Sequence, residues 1–581
     1  MQKRIVRRKI DYSFLRETSL HPILQRIYNA RGITCITELD NNLNQLDSFH
    51  TLKGINSAVE ILSNALQKQE KILIIGDFDA DGATSTALAV SALRAFGAKE
   101  VNYLVPNRFD YGYGLTPEIV EVAAKQKPDI IMTVDNGIAS CEGVLLAKKL
   151  GIKVIITDHH LPGKELPNAD AIVNPNQSEC PFPSKNSAGV GVIFYVMLAL
   201  RSQLREINWF DNQHIIETNM GQFLDLVALG TFADVVPLDK NNRILVHQGV
   251  QRIRTGKCRP GILELIKIAK RDYHTINASD LGFAIAPRLN AAGRLDDMSL
   301  GIECLLTENP TKAKSIAEQL NLLNQERRLI EAEMQQQADN ELAKLNLTDI
   351  KNLPYGICLF NEQWHQGVIG ILAGRLKDRL HRPTIIFALA NDNVLKGSAR
   401  SINGIHIRDV LDYIATTHPD LITKFGGHAM AAGLSIHPEN YPTFATIFDQ
   451  EIQKKISADN LYGKIDSDGE LEITDFNIKL AYLLRESGPW GQNFPEPIFD
   501  GKFKVLEQRL INGKHLKLLL TLTNDQMPID AIAFNIDNKL WPNHGIQYIK
   551  AAYKLEINEF RGMQQLQLLI EYLEPDKKSP E

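Results

Sequence analysis

An α/β fold is predicted by this sequence: a parallel sheet with helices on both faces, a second α/β domain reached through a long helix, and a five-stranded β-barrel of the OB type. Three observations carry the prediction. Short apolar runs alternate with helical stretches between residues 71 and 173, the pattern of buried parallel strands and their crossovers. A helical pattern then continues unbroken over 311–345. Beyond residue 464 the chain turns β-rich, with short strand-like segments separated by turn residues.

In chain order, residues 1–50 carry no motif and read as an N-terminal extension. The first α/β domain is placed at 51–310, with strands at 71–76, 101–105, 129–134, 153–157 and 171–173 and helices at 84–96, 117–125 and 143–150. Such sheets bind ligands at the carboxyl ends of their strands, so those ends are where functional residues are sought. The apolar run at 189–200 is shorter than the roughly 20 residues a membrane span needs and reads as a buried helix. A connecting helix is placed at 311–350, and at about 1.5 Å per residue its 311–345 pattern reaches about 50 Å. The second α/β domain occupies 351–455. The barrel occupies 456–575, with strands at 501–510, 515–522, 529–534, 549–557 and 564–572, and Asn512-Gly513 marks a hairpin between the first two. Residues 576–581 form a charged tail.

Composition narrows the function classes. A formal net charge of −5 means that any basic groove for a polyanion is local. Six cysteines, none in a CxxC pair, argue against a zinc knuckle or a dithiol redox motif and fit a reducing cytoplasm. No apolar stretch of signal-peptide type follows the basic N-terminus.

The strand ends carry acids and histidines. The first ends in Asp77-Phe78-Asp79-Ala80-Asp81-Gly82, whose three aspartates would face one way if the segment stayed extended. Like charges this close repel unless a cation compensates. An EF-hand loop begins similarly, but Leu88 stands where its bidentate glutamate belongs, and a strand precedes the loop. The third strand ends in Val134-Asp135-Asn136-Gly137 and the fourth in Asp158-His159-His160. Asp234 is an acid inside the apolar stretch Ala233-Asp234-Val235-Val236-Pro237, where it must be paired, hydrogen-bonded or metal-bound to stay ionised. Taken singly, such an aspartate is an N-cap and such a histidine a structural residue; together they suit metal-assisted hydrolysis. Two divalent ions about 3.5–4 Å apart hold an attacking hydroxide and stabilise an in-line displacement at phosphorus. The mixed Asp/His donor set points to Mn2+ or Mg2+. Asp135 is the candidate bridging group, because its strand lies between the other two in sequence.

These motifs resemble the four ordered motifs of the DHH phosphoesterase superfamily. Its DHHA1 partner domain is resembled by Trp364-His365-Gln366-Gly367-Val368-Ile369-Gly370, Gly397-Ser398-Ala399-Arg400-Ser401 and Phe425-Gly426-Gly427-His428-Ala429-Met430-Ala431. Ala286-Pro287-Arg288-Leu289-Asn290-Ala291-Ala292-Gly293-Arg294 and the barrel resemble the RecJ branch. The resemblance implies metal ligation by Asp79, Asp81, Asp135, His159, His160 and Asp234, with Asp77 less directly and Asp158 orienting a histidine. It also implies 5′-to-3′ hydrolysis of single-stranded DNA to mononucleotides in recombination and repair, by a cytoplasmic monomer, with a single-strand-binding protein as a partner.

A 5′-phosphate suits arginine forks and helix N-termini. Ser398 and Arg400, Arg108, Arg288, and a helix start expected at Gly426-Gly427-His428 are the candidates. Each arginine is also open to reading as a surface salt bridge, and the glycines as a packing loop. Tyr111 and Tyr113, in a glycine-punctuated loop, are candidates for stacking on bases, with core packing as the alternative. Lys502, Lys504, Arg509, Lys514 and Lys517 near the first barrel hairpin suggest a phosphate track. Two other readings compete. One is a superfamily enzyme acting on pyrophosphate, short oligonucleotides or cyclic dinucleotides, against which the long connector and barrel argue. The other is a non-catalytic DNA-binding scaffold, which would have lost acids or histidines that are all present here.

Overall fold

Runs of isoleucine and valine leave little choice in the first sheet. The computed structural model describes residues 3–9, 19–106, 114–344, 353–390, 393–522, 528–537, 540–560 and 562–576. They divide into two units, one of Asp11–Gln325 with Arg485–Glu496, the other of Met1–Ile10, Glu326–Leu484 and Pro497–Glu581.

The first described strand is β1 (Lys3–Arg7), which belongs to the second unit. The first unit is built on five strands: β2 (Ile72–Gly76), β3 (Val101–Leu104), β4 (Ile130–Val134), β5 (Lys153–Thr157) and β6 (Ala171–Val173). All pairings are parallel, in the order β3-β2-β4-β5-β6. β2 and β4 are buried along their whole length, as sequences without polar alternation require. The crossovers are α1 (Ala80–Ala95), α2 (Pro117–Ala124) and α3 (Cys141–Lys149). Leu73, Ile75, Ile131, Val154 and Ile156 pack on one face against Ile119, Val120 and Val144 of α2 and α3. α1 packs with α4 (Gly189–Glu206) and α5 (Leu224–Ala233). From β2 the chain runs outward to β3 and then returns to the far side as β4. The topological switch therefore falls between β2 and β4, where sheets of this kind open a crevice at their carboxyl ends.

α1 begins earlier than the expected residue 84. Asp79 caps it by accepting from the backbone N–H of Asp81 and Gly82, at 2.9 and 3.0 Å. The aspartate segment is therefore not extended, and Asp81 sits in the first turn of a helix. The cap wins because a carboxylate satisfies orphan N–H groups at a helix start. α6 (Ala286–Leu295) follows a π-helical turn at Leu281–Ile285. The long helix is α7 (Pro310–Lys344). No helix among the described residues is long and apolar enough to cross a membrane.

In the second unit, β7 (Ile357–Phe360), β8 (Thr384–Leu389), β9 (Leu395–Arg400), β10 (Lys424–Gly427) and β11 (Ala431–Ile436) form a sheet ordered β10-β11-β9-β8-β7. α8 (Ile369–Leu380) packs on β8 and β9. The helix start expected at Gly426-Gly427-His428 is not there. Gly426 and Gly427 end β10, which pairs antiparallel with β11, and the His428 N–H donates to Ala431 O at 2.7 Å. Glycines there serve a tight hairpin, with Gly427 at φ +140° and a Cβ on it only 2.5 Å from Ala431 O.

β12 (Gly463–Ser467) pairs in parallel with β1, from Lys3 opposite Gly463 to Arg7 opposite Ser467. The closed barrel runs β13-β14-β15-β17-β16, with β13 at Phe499–Ile511, β14 at His515–Thr521, β15 at Ile529–Ala533, β16 at Tyr548–Phe560 and β17 at Met563–Asp576. Arg7 grips Asp500 on β13 with both ends of its fork, at 3.0 and 2.8 Å. Residues Arg485–Glu496, placed by the sequence within the barrel domain, pack with the first unit instead. There Tyr28 donates to Ser487 O at 2.7 Å, and Trp490 stacks on Phe494 with centroids 5.3 Å apart.

Candidate metal centre

Asp77, Asp135 and Asp158 each directly follow the last residue of a parallel strand, so the sheet delivers them to one edge. Because β4 lies between β2 and β5, Asp135 stands between the aspartate loop and the histidine pair. Its backbone N–H donates to Thr157 O at 3.0 Å, and its φ of +63° turns the chain sharply out of the strand.

Three groupings result, each with ligand atoms within 4.8 Å of one another: Asp77 with Asp79 and Asp135, Asp135 with His159 and His160, and Asp81 with His159 and Asp234. His159 Nε2 lies 3.1 Å from Asp135 Oδ1 and 3.5 Å from Asp234 Oδ2. The three aspartates of the first motif are thus divided between two candidate ion positions, a consequence of α1 starting at Ala80. All seven residues expected to bind metal come together.

Other parts of the first unit hold these groups in place. Asp81 accepts from the N–H groups of Gly189 and Val190 at 2.7 and 2.9 Å, so the first turn of α4 stabilises its charge. That approach needs glycine: a Cβ on Gly189 would lie 2.6 Å from the Asp135 side chain, and one on Gly230 would lie 2.8 Å from Asp81 Oδ1. Asp158 does not join any of the three groupings. It accepts from Ile138 N–H at 2.9 Å and pairs with His160 Nδ1 at 2.7 Å, which fixes the ring and leaves Nε2 as the available donor. Asn174 and Asn176 pin the backbone carbonyls of His160 and His159, at 2.9 and 2.6 Å. Asn290 of α6 accepts from Ala80 N–H at 2.8 Å. Gly189, Gly230, Asn174 and Asn176 escaped sequence reasoning because their roles depend on contacts between distant segments; Asn290 was visible only as part of a motif.

The electrostatics fit a cationic guest. Burial, then the charges of Asp81, Asp79 and Asp77, push Asp135 well above the ordinary carboxylate range. Burial, then Asp81 and Asp79, do the same to Asp234. Asp81 is raised to about 7, by burial first and Asp79 second. Burial alone would raise Asp158, yet its bond to His160 and the charges of both histidines hold it below that range. For His160 burial, the largest single influence, lowers the pKa, but the bond to Asp158 and the charges of Asp158, Asp234 and Asp77 together outweigh it and lift the value to about 9. At an effective dielectric of about 20, two like charges 4 Å apart repel by about 4 kcal/mol, and divalent cations would relieve that strain. Hard carboxylate oxygens with imidazole nitrogen match Mn2+ and Mg2+. The residues present therefore fit a pair of such ions.

Among the anion-binding candidates, Ser398 and Arg400 lie on β9 against the first turn of α8. A Cβ on Gly370 would be 2.9 Å from Arg400 Nη2 and 3.0 Å from Ser398 Oγ. The helix N-terminus beside these two residues is thus that of α8, not one at Gly426. Arg288 is buried; its guanidinium donates to Ala284 O and, at 3.0 Å, to Asn321 Oδ1. Arg108, Tyr111 and Tyr113 lie outside the described residues.

Three family models match the chain: the DHH family N-terminal domain over residues 71–231, the DHHA1 domain over 352–454 and the RecJ OB domain over 467–572. The single-stranded-DNA-specific exonuclease RecJ of Salmonella typhimurium is 51% identical over 574 residues, covering 99% of each chain. The crystal structure of RecJ in complex with Mn2+ from Thermus thermophilus matches with a TM-score of 0.78 at 26% identity, over 96% of this chain and 76% of that one. Its complex with Mg2+ matches with a TM-score of 0.73 at 25% identity, over 96% and 75%.

Proposed function

This chain belongs to the RecJ family of single-stranded-DNA-specific exonucleases, and we propose that it hydrolyses single-stranded DNA from the 5′ end into mononucleotides, with two Mn2+ or Mg2+ ions, in recombination and repair. The observation that carries this reading is the set of metal-ligating groupings that share Asp135 and His159 at the switch point of a parallel sheet. Two ions held there would ionise water near neutral pH and stabilise both oxygens of an in-line displacement at phosphorus.

The chain's own residues do the remaining work. Asp135, common to two groupings, would be a ligand in either, with Asp77 and Asp79 in one and His159 and His160 in the other. Asp81 and Asp234 would hold an ion together with His159. Asp158 holds His160 in one orientation, which spares the rotameric freedom that would blur the site. In the second unit, Ser398 and Arg400 beside the first turn of α8 supply the cation, hydroxyl and helix N-terminus that a 5′-phosphate dianion calls for. The barrel, matched by the RecJ OB model, offers a surface for a single strand. We take the working form to be a cytoplasmic monomer partnered by a single-strand-binding protein, a reading that rests on the family.

The test is digestion of single strands labelled at either end, with and without Mn2+. Mononucleotides released first from the 5′ end, only with metal, and no attack on blunt duplex are expected. Release from the 3′ end would overturn the polarity. Equal rates on dinucleotides and long strands would overturn the polymer substrate.

A further inference from the structure

Two irregular stretches of backbone are joined to the elements that carry the candidate metal ligands, and each lifts an apolar side chain into solvent. At the end of α5, Val235 directly follows Asp234 with φ +59°, a left-handed conformation that β-branched residues rarely adopt, and remains 63% exposed. The second stretch is the π-helical turn Leu281–Ile285, a kind of turn concentrated at functional sites. Its Gly282 sits against Phe232 so closely that a Cβ would lie 2.6 Å from the ring, and the next residue, Phe283, is 79% exposed. The same segment continues into α6, where Asn290 binds the Ala80 N–H and Gly293 lies under Phe78 O. Phe283 is therefore carried by a continuous segment that touches both the aspartate loop and α5, the helix that leads into Asp234.

We propose that Phe283 is a stacking ledge for a nucleobase of the strand whose phosphodiester lies at the metal centre. The proposal rests on the exonuclease reading and deepens it. The occupant follows from continuity with that centre: a substrate whose backbone is held by metal ions presents bases a few ångströms away, and in a single strand their faces are bare. A ring face accepts any base, so the ledge would favour unpaired nucleotides without reading sequence. Phe283 would position the strand and take no part in bond making.

Phe283→Ala and Phe283→Trp would be compared with the parent protein in Mn2+, on intact strands and on strands whose terminal nucleotides are abasic. With its side chain so exposed, Phe283 can be replaced without disturbing the fold. For Phe283→Ala, KM on intact strands should rise about 5- to 150-fold, the range base–aromatic stacking allows, with kcat little changed. Phe283→Trp should behave like the parent, and on abasic strands all three proteins should converge. Parental KM in Phe283→Ala on intact strands, or an undiminished gap on abasic strands, would overturn the ledge. Oligonucleotide binding by fluorescence anisotropy in the Asp81→Ala background gives the same comparison without turnover. If the parent degrades no single strand, the exonuclease reading fails and anisotropy still decides the ledge.

Discussion

Asp81 shows at a single residue how this site balances charge against burial. It is almost fully buried, accepts two backbone N–H groups from α4, and still joins His159 and Asp234. Asp81→Ala or His159→Ala should lower hydrolysis at least about a thousandfold, since a metal's contribution of several kcal/mol is at stake, with circular dichroism unchanged. Gly189→Ala should be nearly as inactive, because the new methyl would collide with Asp135, and should lose about 1–3 kcal/mol of stability in denaturant titration. The pH dependence has a definite sign. Asp81 titrates near 4 when unfolded and near 7 when folded, so the folded metal-free state binds the extra proton, and stability falls as pH rises through that window. His160, raised to about 9, adds a further loss above its unfolded value near 6.5. Melting of the EDTA-treated protein should therefore drop from about pH 4 to about pH 9. Mn2+ should restore it, most strongly at high pH, where the ligands are deprotonated.

At the scale of elements, the boundaries that moved are the ones that matter. The apolar run of β2 was plain in the sequence, but not that Asp79 would cap α1 and so split the aspartates between two candidate metal-binding groupings. A cap is decided by competition between side chain and backbone, which periodicity does not report. Paired glycines at 426 and 427 suited either a phosphate-binding helix start or a hairpin, and pairing with β11 decided for the hairpin. Asn512-Gly513 was read correctly as the hairpin between β13 and β14: both residues take positive φ, at 50° and 64°, in the turn between the paired Ile511 and His515. Gly513→Val should accordingly cost about 1 kcal/mol or more in the barrel, measured by denaturant midpoint.

For the whole molecule, a net charge of −5 is reconciled with a polyanionic substrate by local placement of charge. Of the barrel cations, Lys502 and Lys517 are tied to Asp576 and Asp530 at 3.2 and 3.1 Å. Arg509 and Lys514 are the better candidates for phosphate contacts. Replacing both with alanine should flatten the salt dependence of single-strand binding by about 1.4 in the log–log slope, at about 0.7 per lost contact, while hydrolysis of very short oligonucleotides is spared.

The order of motifs along the chain was enough to determine the parallel sheet, the acids and histidines at its strand ends, and the family with its metal chemistry. Buried strands must be continuously apolar, and hard cations need clustered carboxylates, so both leave marks in sequence. Tertiary structure alone decided which groups come together as candidate metal sites and that Asp158 pairs with His160. It also decided that two glycines from distant segments give Asp81 and Asp135 their room, and that the phosphate candidates Ser398 and Arg400 sit at the start of α8. Those outcomes depend on fits good to a few tenths of an ångström between residues up to about 150 positions apart, a separation over which no local pattern carries information.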